Sequence, residues 1–95
     1  MVTIDAKRFE ETFRRYSQIG RTDADGLHRL TLTETDREVR DLFVEDLKSL
    51  NLGIRIDEIG NIFGRKEGTD PEAEPVLIGS HLDSQPYGGR FDGQL

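Results

Sequence analysis

His81, Asp83 and Asp92 are the residues of this 95-residue sequence whose types and spacing could do chemistry. They fall within VLIGSHLDSQPYGGRFDG, residues 76–93. A neutral imidazole such as that of His81 ligates zinc, cobalt, manganese or nickel. Asp83, two residues on, lies on the same side of an extended chain and can accept the second ring N–H of the histidine, fixing its tautomer without taking a metal position. Asp92 follows a turn in which Gly88 and Gly89 let the chain double back, and Gly93 admits unusual backbone geometry beside it. A carboxylate there has two oxygens and can bridge two cations about 3.5–4 Å apart, an arrangement that activates water and stabilises charge on a substrate oxygen. One histidine and one aspartate fall short of the three or four protein ligands of a tight zinc site. Spacing alone therefore leaves two readings open: part of a metal site, or polar groups that stiffen a loop, with Arg90 pairing to Asp92.

Other chemistries fit less well. Ser80 precedes His81 in GSHLD, which lacks the final glycine of a nucleophile elbow, and adjacent residues are badly disposed as nucleophile and base. Asp23 and Asp25 start like a calcium loop, but the later oxygen ligands and closing glutamate are missing. His28 reads as an ordinary loop histidine. The absence of cysteine excludes disulfides, thiolate zinc sites and cysteine nucleophiles. No phosphate-binding loop or dinucleotide fingerprint occurs. With 19 acidic against 13 basic residues and a net charge of -6, nucleic acid is not an expected partner, because phosphate-backbone binders need a basic surface. No apolar stretch approaches the roughly twenty residues of a membrane-spanning helix. Asp5, Glu10 and Glu11 stand where a secretion signal would be basic and then apolar. No membrane association is expected, and the expected location is cytoplasmic.

The elements that must position the cluster can be read in turn. A first helix is expected from about Asp5, its N-cap, to Ile19, with Phe9, Phe13 and Tyr16 on one face packing as core against a sheet and Gly20 ending it. RTDADGLHRLTL, residues 21–32, is a connection. Thr33 or Thr35 caps a second helix; Val39, Leu42, Phe43, Leu47 and Leu50 form its apolar stripe, and Gly53 terminates it. Period-two alternation in Ile54-Arg55-Ile56-Asp57, a turn at 58–61 and a return through Ile62-Phe63-Gly64-Arg65 predict an antiparallel hairpin. Gly64 there admits close packing. A polar loop at 66–75 leads into Val76-Leu77-Ile78, an uninterrupted aliphatic run expected to be a strand covered on both faces.

The GSHLDS and GGRFDG pieces, at their joint spacing, resemble the first metal-binding motif of the metallopeptidase-fold amidohydrolases that include N-carbamoyl-L-amino-acid hydrolase, allantoate amidohydrolase and beta-ureidopropionase. Gly53 and DEIGNIFG at 57–64 are similar to the hairpin preceding that motif, and the first helix and GLHRL at 26–30 to the family's N-terminal region. The resemblance implies an α/β fold: the N-terminal portion of a zinc-exopeptidase-like, mixed-sheet catalytic domain, with two helices, a hairpin and a buried strand in residues 1–95. It implies that His81 is a metal ligand, Asp83 the carboxylate that orients it and Asp92 the aspartate bridging two divalent ions (zinc, manganese, cobalt or nickel). It also implies a cis peptide bond after Asp92.

The activity implied is hydrolysis of a non-peptide C–N bond in a small linear substrate, an N-carbamoyl-L-amino acid, ureido acid or allantoate, by a metal-activated water. The general-base glutamate, the remaining ligands and a smaller domain carrying a homodimer interface belong, on this resemblance, to sequence beyond position 95. The chain alone is accordingly expected to be inactive and, with a truncated sheet, to self-associate. The alternative is a free-standing non-catalytic module, structural or weakly metal-binding.

Overall fold

Asp5 starts the first regular element of the computed structural model, which describes residues 2–93. Its backbone is extended and its carboxylate accepts the Arg8 N–H at 3.0 Å, satisfying one of the donors that the first turn of a helix leaves free. Helix α1 (Ala6–Ser17) follows. It ends three residues before Gly20, whose φ of +78° turns the chain so that Gly20 O accepts the His28 N–H at 2.8 Å. Helix α2 (Glu34–Ser49) begins at Thr33, whose hydroxyl accepts the Asp36 N–H and donates to Leu30 O at 2.6 Å. Strands β1 (Gly53–Ile56) and β2 (Ile62–Arg65) complete the order and pair antiparallel, Ile54 opposite Gly64 and Ile56 opposite Ile62. The result is a mixed α/β architecture with a two-stranded antiparallel sheet. None of these helices is long and apolar enough to cross a membrane.

Contacts divide the chain into two compact units, residues 1–39 with 80–95, and residues 40–79. In the first, Leu27 and Val39 are fully buried. Leu27 exchanges both backbone hydrogen bonds with Gly88, each 2.8 Å, so the 85–92 turn is held to the 20–28 connection. A side chain on Gly26 would collide with the Gly88 carbonyl, which explains a glycine at this crossing. The aromatics of α1 find an unforeseen partner: Phe13 stacks on Phe91 with centroids 5.1 Å apart, and Phe9 on Phe13 at 6.3 Å. They do not form a closed core, since Phe9 and Phe91 remain over half exposed.

In the second unit Leu47 is buried, and its methyls occupy the space that a Gly64 side chain would need, so the expected close packing at this glycine is realised. The hairpin is closed by Asp57, whose carboxylate accepts from Asn61 Nδ2 and the Asn61 and Ile59 N–H groups at 2.8–3.1 Å. Those bonds, the Asn61 side chain first, hold the Asp57 carboxyl below its ordinary pKa. Gly60 takes φ +91° in the same turn.

The expected buried strand at 76–78 is corrected. Val76, Leu77 and Ile78 are 93%, 77% and 90% exposed and belong to no strand. Aliphatic composition records a demand for burial, but a strand also needs a neighbouring backbone edge to take its N–H and C=O groups. Among the described residues the sheet has only β1 and β2, paired to each other.

Candidate functional site

The segment carrying His81 is tied at three successive residues to Arg29, Leu30 and Thr31's stretch of chain. The Ser84 N–H donates to Arg29 O at 2.8 Å, and the Arg29 N–H donates to Ser84 Oγ at 2.9 Å. Arg29 Nε donates to Leu82 O at 2.8 Å, while Nη1 of the same guanidinium donates to the carbonyls of Tyr16 and Ile19 at 2.7 and 2.9 Å. Thr31 Oγ1 donates to Asp83 Oδ2 at 2.6 Å. Arg29 is 2% exposed, and burial pushes its pKa down, with Asp36 and then Asp83 acting in the opposite sense. A buried guanidinium is tolerated here because its N–H groups meet carbonyl oxygens with complementary geometry.

On this anchored segment His81 and Asp83 stand side by side. The His81 Nδ1 lies 2.8 Å from the Asp83 main-chain oxygen and 3.3 Å from its Oδ1. Two acceptors at one ring nitrogen require the proton on Nδ1 in the neutral ring, which leaves the lone pair on Nε2. Nε2 in turn lies 2.7 Å from the point where a Cβ on Gly93 would sit. The Gly93 carbonyl accepts from Ser80 Oγ at 2.5 Å, closing the 80–93 loop. Asp92 is next to Gly93 in sequence; its Oδ2 accepts the Gly89 N–H at 2.7 Å, and the side chain is exposed. Among the described residues no three His, Asp or Glu side chains gather into a group able to hold a metal.

Two local expectations change. Arg90 pairs with Asp25 at 3.6 Å, in place of the expected Asp92, and lies over the Phe91 and Phe13 rings. That also places Asp25, bonded to Arg21 Nε at 3.1 Å, between two cationic groups. The described residues contain no cis peptide bond. Gly93 instead takes φ +86° and donates its N–H to Phe91 O at 2.8 Å, a tight turn closed with a trans bond after Asp92.

No protein-family model matches the chain. Individual proteins do. An N-carbamoyl-L-amino-acid amidohydrolase from Rhizobium meliloti is 44% identical over 92 residues, 97% of this chain and 22% of that protein. A hydantoinase/carbamoylase family amidase from Burkholderia ambifaria superposes with a TM-score of 0.90 at 47% identity, over 95% of this chain and 22% of that one. The chain belongs to the hydantoinase/carbamoylase family of amidohydrolases. The allantoate amidohydrolase of Escherichia coli, 37% identical over 95 residues and 23% of its length, is a further relative. The chain thus spans about a fifth of the length of the curated relatives it matches.

Within this family frame, sequence reading singled out the residues of the loop but missed Arg29 and Thr31, which hold it. Arg29 sits in GLHRLTL, a polar connection where a solvent-facing arginine and a buried one look alike. The usable signal was the alternation of Leu27, Arg29 and Thr31, which puts the three on one side of an extended stretch.

Proposed function

We propose that this chain supplies the first metal-binding segment of an enzyme that hydrolyses a non-peptide C–N bond in a small linear carbamoyl or ureido compound. An N-carbamoyl-L-amino acid is the favoured substrate, with ureido acids and allantoate as neighbouring classes. The observation that carries this reading is the state of His81: Nδ1 is engaged by Asp83 and the Nε2 lone pair is directed to the side-chain-free face of Gly93. Such a donor suits a divalent cation, and Asp92, adjoining that face, brings a carboxylate whose Oδ2 alone takes a hydrogen bond among the described residues. His81 and Asp92 would hold the ion, while Asp83 fixes the imidazole and Thr31 fixes Asp83. The ion supplies Lewis acidity, which makes water nucleophilic near neutral pH and polarises a substrate carbonyl.

The same reading has the longer enzyme cytoplasmic and homodimeric, with two divalent ions of the zinc, manganese, cobalt or nickel type. It also has the 95-residue chain self-associating, for which the exposed run Val76-Leu77-Ile78 is the supporting feature. The test is product release from N-carbamoyl-L-amino acids and allantoate with manganese or cobalt. The isolated chain should give no turnover; a longer protein carrying it should give turnover that His81→Ala abolishes. Turnover by the isolated chain, or a His81→Ala enzyme of unchanged rate, contradicts the assignment.

A further inference from the structure

We propose that Arg29 is the positioning residue of this site: its guanidinium joins the end of α1 to Leu82 and thereby fixes where the His81 imidazole stands. The inference rests on the metal-site reading above for its functional meaning, but its geometry is independent of any ion. A buried arginine carries a large desolvation cost and persists where its donors are well used. Here three bonds from two nitrogens reach carbonyls on two separate pieces of chain, Tyr16 and Ile19 on one side and Leu82 on the other. Tyr16 lies in the last turn of α1, where its carbonyl also takes the Ile19 N–H at 3.3 Å, and Ile19 lies just beyond the helix. Leu82 immediately follows His81, and Ser84 is held from both sides by the Arg29 backbone. Residues 82 and 84 are thus clamped, and the imidazole, bonded to the Asp83 between them, has its position set by that clamp. A lysine would keep the charge but has no rigid fork with which to reach diverging carbonyls.

The decisive experiment compares the unsubstituted chain with Arg29→Lys by NMR without metal. Expected in Arg29→Lys are loss of the nuclear Overhauser contact between the His81 ring and Gly93 Hα, and a rise of roughly tenfold or more in Ser84 amide exchange. The Leu27 amide, bonded to Gly88, should change by less than about twofold, and α1 should keep its circular-dichroism signal. A purely structural role would instead raise exchange at Leu27 and Ser84 together. Retention of the His81–Gly93 contact, or parallel loss at Leu27 and Ser84 in a folded variant, overturns the proposal. Should Arg29→Lys not fold, the unsubstituted chain decides: the Arg29 Nε proton should exchange as slowly as the Ser84 amide, and fast exchange there beside a protected Ser84 overturns it. Since no readout involves an ion, a chain that fails to bind metal contradicts the site reading alone.

Discussion

The Nε2 atom of His81 fills the space beside Gly93 that any side chain at position 93 would need, 2.7 Å from an ideal Cβ. Gly93 also has φ +86°, where an L-residue is strained. Gly93→Ala should therefore act twice. The backbone strain costs about 1–2 kcal/mol locally, and the half-exposed imidazole must move off its position beside residue 93. Metal affinity should fall about tenfold or more, as for other losses of ligand orientation, while the Leu27–Gly88 pairing persists. Calorimetric titration checks this; affinity equal to that of the unsubstituted chain would show that the close approach has no functional weight.

The Asp57 turn provides a pH test. Its carboxyl is held below the ordinary value of 3.8, chiefly by the Asn61 side chain, so the folded state binds this proton less readily than the unfolded chain. The resulting contribution to stability is present above the unfolded pKa and is lost as pH falls through the lowered folded value. The Asn61 amide resonance should accordingly titrate with a midpoint below the ordinary 3.8, and Asp57→Ala should remove that transition. A midpoint above the ordinary aspartate value in the unsubstituted chain would contradict the bonding described.

Gly64 faces Leu47 with no room for a side chain. Gly64→Val should overpack this contact and destabilise the 40–79 unit by about 1–3 kcal/mol, despite valine's preference for strands. Urea unfolding followed by amide exchange in β1 and β2 measures it; an unchanged midpoint would mean that α2 and the hairpin separate readily at this point.

Most local structure was legible in the sequence because its causes are local. Asp5 and Thr33 announce helix starts through capping, Glu58 to Asn61 a turn, and Ile54 and Ile56 an alternating strand. Val76 to Ile78 failed as a strand for the opposite reason: pairing depends on a neighbouring edge that three aliphatic residues cannot specify. At the site, the motif spacing pointed to His81, Asp83 and Asp92, but Leu82, which Arg29 bonds, and Asp83, which Thr31 bonds, lie more than fifty residues along the chain and no periodicity encodes the pairings. The Arg90–Asp92 pair, one of the two readings that spacing left open, rested on sequence proximity alone, and the fold delivers Asp25 to Arg90 in its place.

The proposed site makes His81 and Asp92 the ligands of a divalent ion on a loop prepared to receive it. Calorimetric titration of the chain with zinc or manganese, alongside His81→Ala and Asp92→Ala, tests it most directly. The expected result is saturable binding by the unsubstituted chain that is lost in both variants. Equal isotherms for all three proteins, or no binding by the unsubstituted chain, would contradict the claim.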